Sequence, residues 1–232
     1  MKRCLILGIC LILLSGCSLL EESGGQINKS AQQLANEGSA AYMDGDYKDA
    51  IKAYTDLKNW YPFSRYAILA ELKIADAHFY LEEYEDALVA YEGFENMHPR
   101  NETIPYVINQ MGMCWFNQLG TVDRDPAPAE NALSFFRRLI RQYPDHEQTI
   151  IAKKNIDICI NNLAGHELYV ASYYKKTKSF KAALKRYEYI VATYPGTPQS
   201  DIALDIIPSL SQKVMTLEAK QTANKKTKEK LE

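Results

Sequence analysis

From residue 30 onward the apolar positions recur at intervals of three and four, the period that lines one face of an α-helix. One short pattern returns four times: Ala50, Tyr54, Leu57 and Pro62; Ala87, Tyr91, Phe94 and Pro99; Ala132, Phe136, Leu139 and Pro144; Ala183, Tyr187, Ile190 and Pro195. In each, a small residue is followed four positions later by an aromatic, then three later by an apolar residue and five later by Pro. The first three share a helix face, and the Pro closes the unit because it lacks an amide hydrogen and clashes with the preceding turn. Twelve residues before Ala50, Ala87 and Ala183 stand Gly38, Ala75 and Ala171, small residues on a preceding apolar-periodic helix. The third unit keeps Gly112 in that place only with eight extra residues, and the loop Gly120-Thr-Val-Asp-Arg-Asp-Pro-Ala-Pro falls in that interval.

Helix punctuation agrees with this reading. Ser30 with Gln33 makes a capping box, Ser64 and Ser179 precede other helices, and Asp125-Pro126 and Thr197-Pro198 pair an N-cap residue with Pro at the first helical position. The apolar stretch Ile150 to Leu163 runs on into the fourth unit as one long helix. Asp201 to Leu217 is helical but interrupted at Pro208, and caps the stack. The repeating unit resembles the tetratricopeptide repeat, a helix-turn-helix with small residues at its two closest packing points and Pro at its end. The expected fold is all-α, a right-handed superhelix of about five such repeats. Chance matches in an ordinary helical bundle are the alternative.

A different pattern opens the chain. Lys2-Arg3 precede an apolar run to Leu14 that is too short to span a bilayer as a permanent helix, the form of an export signal. It ends in Leu14-Ser15-Gly16-Cys17, which resembles the lipobox of bacterial lipoproteins. That likeness implies cleavage before Cys17, lipid on its sulfur and new amino end, and, with Ser18 rather than Asp next, sorting to the outer membrane. The acyl chains anchor through burial of their methylenes, at about 0.8 kcal/mol each. A plain secretory signal with a fortuitous Cys is the other reading. The expected divisions are a signal peptide at 1–16, a lipidated N-terminus and tether at 17–29, the repeat domain at 30–217 and a flexible Lys-rich tail at 218–232.

Composition bears on this in three ways. Sixteen Tyr against eleven Gly and nine Pro disfavour an all-β chain with frequent tight turns. Lys and Arg number 27 and Asp and Glu 29, so nothing marks a basic face for nucleic acid. The charge divides unevenly: from Cys17 to Glu218 there are 20 basic against 27 acidic residues, whereas from Ala219 onward five Lys face two Glu. The tail is thus suited to a weak, salt-sensitive contact with an acidic surface. Its scarcity of large apolar groups also predicts fraying.

No catalytic constellation is legible. Phosphate-cradling loops, nucleophile elbows and kinase motifs are absent from the sequence. His146-Glu147 and His166-Glu167 begin like a zinc-protease helix, but Ile150 and Val170 stand where the second His is needed. His78 and His98 have no partner at ligand spacing, so no metal and no cofactor beyond the lipid on Cys17 are expected. The acids Glu82-Glu83 and Glu85-Asp86 sit at a helix start, where negative charge offsets the dipole. Once the signal is removed and Cys17 acylated, Cys114 and Cys159 remain in apolar stretches. They are read as buried thiols, with a disulfide as the alternative.

A stack of helix pairs leaves a concave surface lined by the first helix of each pair, which suits peptide binding. The residues flanking the small positions select Tyr42, Asp76, Phe79, Tyr80, Tyr106, Asn109 and Phe116, with Ser39, Leu72 and Met113 beside them. Such a groove fits an extended peptide with aromatic side chains, with Asp76 and Asn109 available to its backbone. A second reading makes Phe79, Tyr106 and Phe116 core between adjacent pairs.

A lipobox followed by these repeats also carries Trp60-Tyr61-Pro62-Phe63-Ser64-Arg65-Tyr66, Asp123-Arg124-Asp125-Pro126 and Tyr169-Val-Ala-Ser-Tyr173-Tyr174. In order and spacing this resembles the BamD family of the outer-membrane β-barrel assembly machine, over Cys17 to about Leu217. The resemblance implies a non-enzymatic, lipid-anchored scaffold facing the periplasm, without nucleic acid. Its C-terminal repeats would contact a BamA-type barrel-inserting protein and other assembly-complex lipoproteins. Its N-terminal repeats would meet the C-terminal signals of unfolded outer-membrane proteins. The short third-repeat loop and the Lys-rich tail depart from the family pattern and weaken the expectation of an accessory lipoprotein lying along the chain. A pilotin-like tetratricopeptide lipoprotein for secretin assembly is the alternative; it shares the anchor and repeats but lacks the Tyr-Pro-Phe and Asp-Arg-Asp-Pro cluster.

Overall fold

The structure is a computed structural model and describes residues 29–229. The lipobox, Cys17, the tether as far as residue 28 and the last three residues lie outside the described residues. Nine helices follow one another among the described residues: α1 (Ala31–Asp44), α2 (Tyr47–Trp60), α3 (Ala67–Tyr80), α4 (Tyr84–Met97), α5 (Ile104–Phe116), α6 (Ala127–Gln142), α7 (Gln148–Lys176), α8 (Phe180–Thr193) and α9 (Pro198–Glu229). They form four helix pairs, α1 with α2 through α7 with α8. The fifth unit consists of the single helix α9, packed on α8 and α7.

The repeated sequence pattern sets the ends of these helices. The second helix of every pair stops at a residue directly before Pro: Tyr61, His98, Tyr143 and Tyr194. Each leaves helical geometry, with φ between -124° and -136°, as crowding by the next proline ring demands. At the start of α1 the capping box is formed: the Gln33 amide donates to Ser30 Oγ at 3.3 Å, and the Ser30 amide donates to Gln33 Oε1 at 2.7 Å. Thr197 Oγ1 caps α9 by accepting from the Ser200 amide, and Asp125 Oδ1 accepts from the Ala127 amide at the start of α6. Ser64 and Ser179 behave otherwise. Helix α3 begins only at Ala67, which leaves the buried Ser64 hydroxyl unpartnered, and Ser179 precedes α8 without a side-chain cap bond.

Small residues allow the two helices of a pair to meet. An added Cβ at Gly38 would lie 2.8 Å from the Tyr54 ring, and one at Gly112 would lie 2.7 Å from Phe136. Ala75 shares a core with Tyr91, and Ala171 shares one with Tyr187. These rings, with Leu57, Phe94, Leu139 and Ile190, are almost wholly buried, so the recurring motif is the core. Ala87 is also fully buried, against the same cluster as Tyr91. Ala87→Leu is therefore expected to overpack α4 and cost about 1–3 kcal/mol. The check is a lowered urea midpoint; an unchanged one would count against this register.

Two departures stand out. Helix α7 is continuous over 29 residues, as its sequence predicts: Ala152, Cys159 and Leu163 complete the core of the middle units, while Ala171 belongs to the last core. Helix α9 runs through Pro208 to Glu229, so neither the interruption at Pro208 nor the end of helix near residue 217 occurs. Lys, Gln, Ala and Glu are all good helix formers, and no breaker follows Pro208 to stop propagation. Cys114 and Cys159 are free and buried, and burial pushes their thiols up to about 12 and about 11.

Candidate functional site

The first helices of successive pairs approach one another, α1 with α3, α5 with α7 and α7 with α9. They form the inner side of the stack. Where α1 turns into α2 and α3 into α4, at the edge of this row, five aromatic rings make a ladder. Tyr42 from α1 meets Tyr47 edge-on at 5.5 Å and Tyr80 at 5.9 Å, while Tyr47 stacks on Tyr80 at 5.1 Å with planes 11° apart. Phe79 continues the series, edge-on to Tyr80 at 5.8 Å and to Tyr84 at 5.7 Å. Tyr80 is 53% exposed, and the others are partly buried. Edge-on and stacked contacts of this kind each stabilise by about 0.5–1.5 kcal/mol beyond burial, which holds the exposed ring in place.

Beneath the ladder lies a polar knot centred on Asp76. Oδ1 accepts from the Tyr91 and Tyr106 hydroxyls, both at 2.8 Å, and Oδ2 accepts from Lys73 Nζ at 2.9 Å. The same ammonium sits 4.4 Å from the centre of the Tyr42 ring, so α1, α3, α4 and α5 are tied through one carboxylate. Burial first, and the Asp76 charge second, raise the phenol pKa of Tyr42, Tyr91 and Tyr106 above the ordinary tyrosine value. These hydroxyls stay protonated and keep donating.

This geometry corrects part of the sequence reading. Asp76 and Asn109, expected to face a peptide backbone, are only 2% and 4% exposed. Asp76 is occupied by three donors. Asn109 is enclosed in α5, with its Oδ1 lacking a partner and its Nδ2 only 3.5 Å from Gln110 Oε1. Phe116 packs edge-on against Phe136 at 6.0 Å and belongs with the core, and Tyr106 serves Asp76. Tyr42 and Tyr80 remain at the surface, while Phe79 packs half-buried on the same core as Phe116 and meets Tyr80 with its edge. Tyr47 and Tyr84 join them; both open the second helix of a pair, a position where Phe180 also stands.

The other singled-out residues divide into two places. Tyr61, before Pro62, donates its hydroxyl to the Lys29 carbonyl at 2.9 Å and ties the residues just before α1 to the end of α2, while Phe63 beside it is 100% exposed. Far along the stack, the loop bearing Asp123, Arg124 and Asp125 lies against α7. Asn162 donates to the Gly120 carbonyl at 3.0 Å, the His166 ring contacts the Val122 carbonyl at 2.9 Å, and an added Cβ at Gly165 would strike Val122 at 2.7 Å. A hydrogen bond from Thr121 holds the Asp123 carboxyl below its ordinary value. One turn beyond, Tyr169 and Tyr173 are both more than half exposed on α7. The fold thus unites the Asp-Arg-Asp loop with these tyrosines and leaves Tyr61, Pro62 and Phe63 apart from them.

The profile of the family described as outer membrane lipoprotein, YfiO, matches residues 27–228. The chain belongs to this family. Among its relatives is the outer membrane protein assembly factor BamD of Neisseria meningitidis serogroup A, 27% identical, with 92% of this chain and 85% of the relative covered. The protein of the same name from Vibrio cholerae is 26% identical over 85% of this chain and 86% of its own. A thermophilic TPR protein of Thermus thermophilus aligns in structure with a TM-score of 0.43 and 17% identity, over 80% of this chain and all of its own. Among the described residues of this lipoprotein-family chain, no helix is long and apolar enough to cross a membrane.

Proposed function

We propose that the chain is an outer-membrane protein assembly factor, a scaffold that acts by positioning partners rather than by chemistry. The observation that carries this is the ordered aromatic ladder of Tyr42, Tyr47, Tyr80, Phe79 and Tyr84 at the edge of the inner face of a helical-repeat stack, in a chain of this family. The rings are held by one another before any ligand arrives, which lowers the ordering cost of binding. They suit the aromatic-ended C-terminal signal of an unfolded outer-membrane protein. In this reading Cys17 carries the lipid that holds the protein on the periplasmic face of the outer membrane. The α7 surface around Tyr169, Tyr173 and Asp123 to Asp125 meets a BamA-type protein and its companion lipoproteins. The relatives, assembly factors by name, favour this reading over a secretin pilotin.

Tyr80→Ala removes the most exposed rung and is expected to weaken binding of a peptide ending in an aromatic residue by about tenfold, the loss of one well-placed aromatic contact. Fluorescence titration reads it, and equal affinity in the two proteins would rule out the groove as the binding surface. Affinity purification of the tagged full chain from solubilised membranes should recover a BamA-type protein. Recovery of a secretin instead would favour the pilotin reading.

A further inference from the structure

The turn between α3 and α4 also brings together three side chains able to ligate a metal: His78, Glu83 and Asp86. The sequence spacing offers His78 no partner because these residues do not share a helix. His78 stands in the last turn of α3, Glu83 is the cap residue of α4, and Asp86 lies in the first turn of α4. The fold closes the gap. One ligand atom from each lies within 4.8 Å of the other two, and His78 Nδ1 is already 2.7 Å from Glu83 Oε2.

An ion pair alone accounts for His78 and Glu83 but not for Asp86, whose carboxylate makes no hydrogen bond or ion pair among the described residues and still converges on the same point. Two carboxylates gathered at one imidazole repel each other, and a cation between them relieves that repulsion. A cleft of about 360 Å³ opens beside the cluster, lined by His78 and Asp86 together with Lys58, Ile74, Val89 and Met97. Water can therefore reach the coordination positions that three protein ligands leave open. Ligands at about 2.0–2.2 Å from a tetrahedral ion stand roughly 3.3–3.6 Å apart. Asp86 is exposed and Glu83 partly so, and small rotations of their side chains bring the three atoms to that spacing.

We propose that His78, Glu83 and Asp86 bind one divalent transition-metal ion through one imidazole nitrogen and two carboxylate oxygens, with water completing the shell. The mixed nitrogen and oxygen set suits Zn²⁺ rather than the all-oxygen preference of Ca²⁺. Without metal, Nδ1 carries the proton that it donates to the ionised Glu83 carboxylate, which can only accept. On binding, the Nδ1 proton passes to water, the ion takes the freed Nδ1 lone pair, and Nε2 holds the ring's one proton, taken back from water where it was not already there. The ion would staple the end of α3 to the start of α4, the turn that carries Phe79, Tyr80 and Tyr84 of the ladder. Occupancy would stiffen that part of the ladder.

Calorimetric titration of Zn²⁺ into the chelator-treated full chain in detergent tests this. One saturable site per chain is expected, with affinity reduced about tenfold or more by His78→Ala. Asp86→Asn, at an exposed position whose change leaves packing intact, should weaken the same site to a smaller degree. Far-UV circular dichroism confirms that both variants fold. Zn²⁺ binding unchanged in His78→Ala, no saturable binding, or Ca²⁺ binding as tightly as Zn²⁺ would each overturn the assignment; the last would show a general acidic cluster.

Discussion

Asp76→Ala is expected to destabilise the protein by about 3–5 kcal/mol, the range for breaking a buried charged network by removing one partner. The variant strands two hydroxyls, those of the buried Tyr91 and the half-buried Tyr106, and releases Lys73 from its anion. Each buried donor left unpaired costs about 1–3 kcal/mol, so the two tyrosines alone supply much of the effect. Asp76→Asn keeps an acceptor for the hydroxyls while losing the charge that holds Lys73, and should fall between the wild type and the Ala variant. Urea unfolding at neutral pH measures all three. The tyrosines add a pH signature. Their folded pKa values are raised, so the stability they contribute is full below the unfolded tyrosine value of about 10 and is lost as pH rises above it. Burial is the larger cause, and it persists in the variant; the Asp76 contribution does not. The decline begins near pH 10 in both proteins but should extend to higher pH in the wild type, and the gap between wild type and Asp76→Ala should narrow only above the variant's lower folded values. A loss of under about 1 kcal/mol at neutral pH would show that the three donors find other partners and that Asp76 does not organise the inner face.

The same residue marks the limit of what the sequence displays. The helix pairs, the Tyr-Pro ends, the Ser30 capping box and the long α7 are legible because local spacing and backbone chemistry dictate them. Asp76 and Asn109 are not, because a polar residue in an apolar helical pattern reads as solvent-facing. Only the tertiary arrangement of Tyr91, Tyr106 and Lys73 around Asp76 makes its burial favourable. Tyr47 and Tyr84 are visible as repeat positions, yet their place in the ladder depends on Tyr42 and Tyr80 arriving from other helices. The last turns of α9 carry few large apolar groups, and there intrinsic helix propensity, not packing, sets the outcome.

Phe136→Ala is expected to cost about 3–5 kcal/mol, since the ring is fully buried and its removal leaves a cavity that the surrounding helices fill only in part. The informative result lies in how this change couples to Gly112. In the wild type Gly112→Ala places a Cβ 2.7 Å from Phe136 Cε1, a distance that forces the ring or the α5 backbone to move. The overpacking cost of about 1–3 kcal/mol then outweighs the roughly 1 kcal/mol that Ala gains over Gly in a helix interior. In the Phe136→Ala background the obstacle is gone, the new methyl occupies the vacated space and the propensity gain remains. Gly112→Ala should thus destabilise the wild type and stabilise the variant, a reversal of sign in a double-mutant cycle. The first unit offers an internal repeat of the test, because Gly38 faces Tyr54 with the same closeness, at 2.8 Å. The second and fourth units already carry Ala75 and Ala171 in that place and set the comparison for what the backbone spacing tolerates. If Gly112→Ala stabilised both backgrounds equally, propensity alone would govern the position. The pairing of a small residue with an aromatic across each helix pair would then follow from general burial rather than fix how closely α5 and α6 approach.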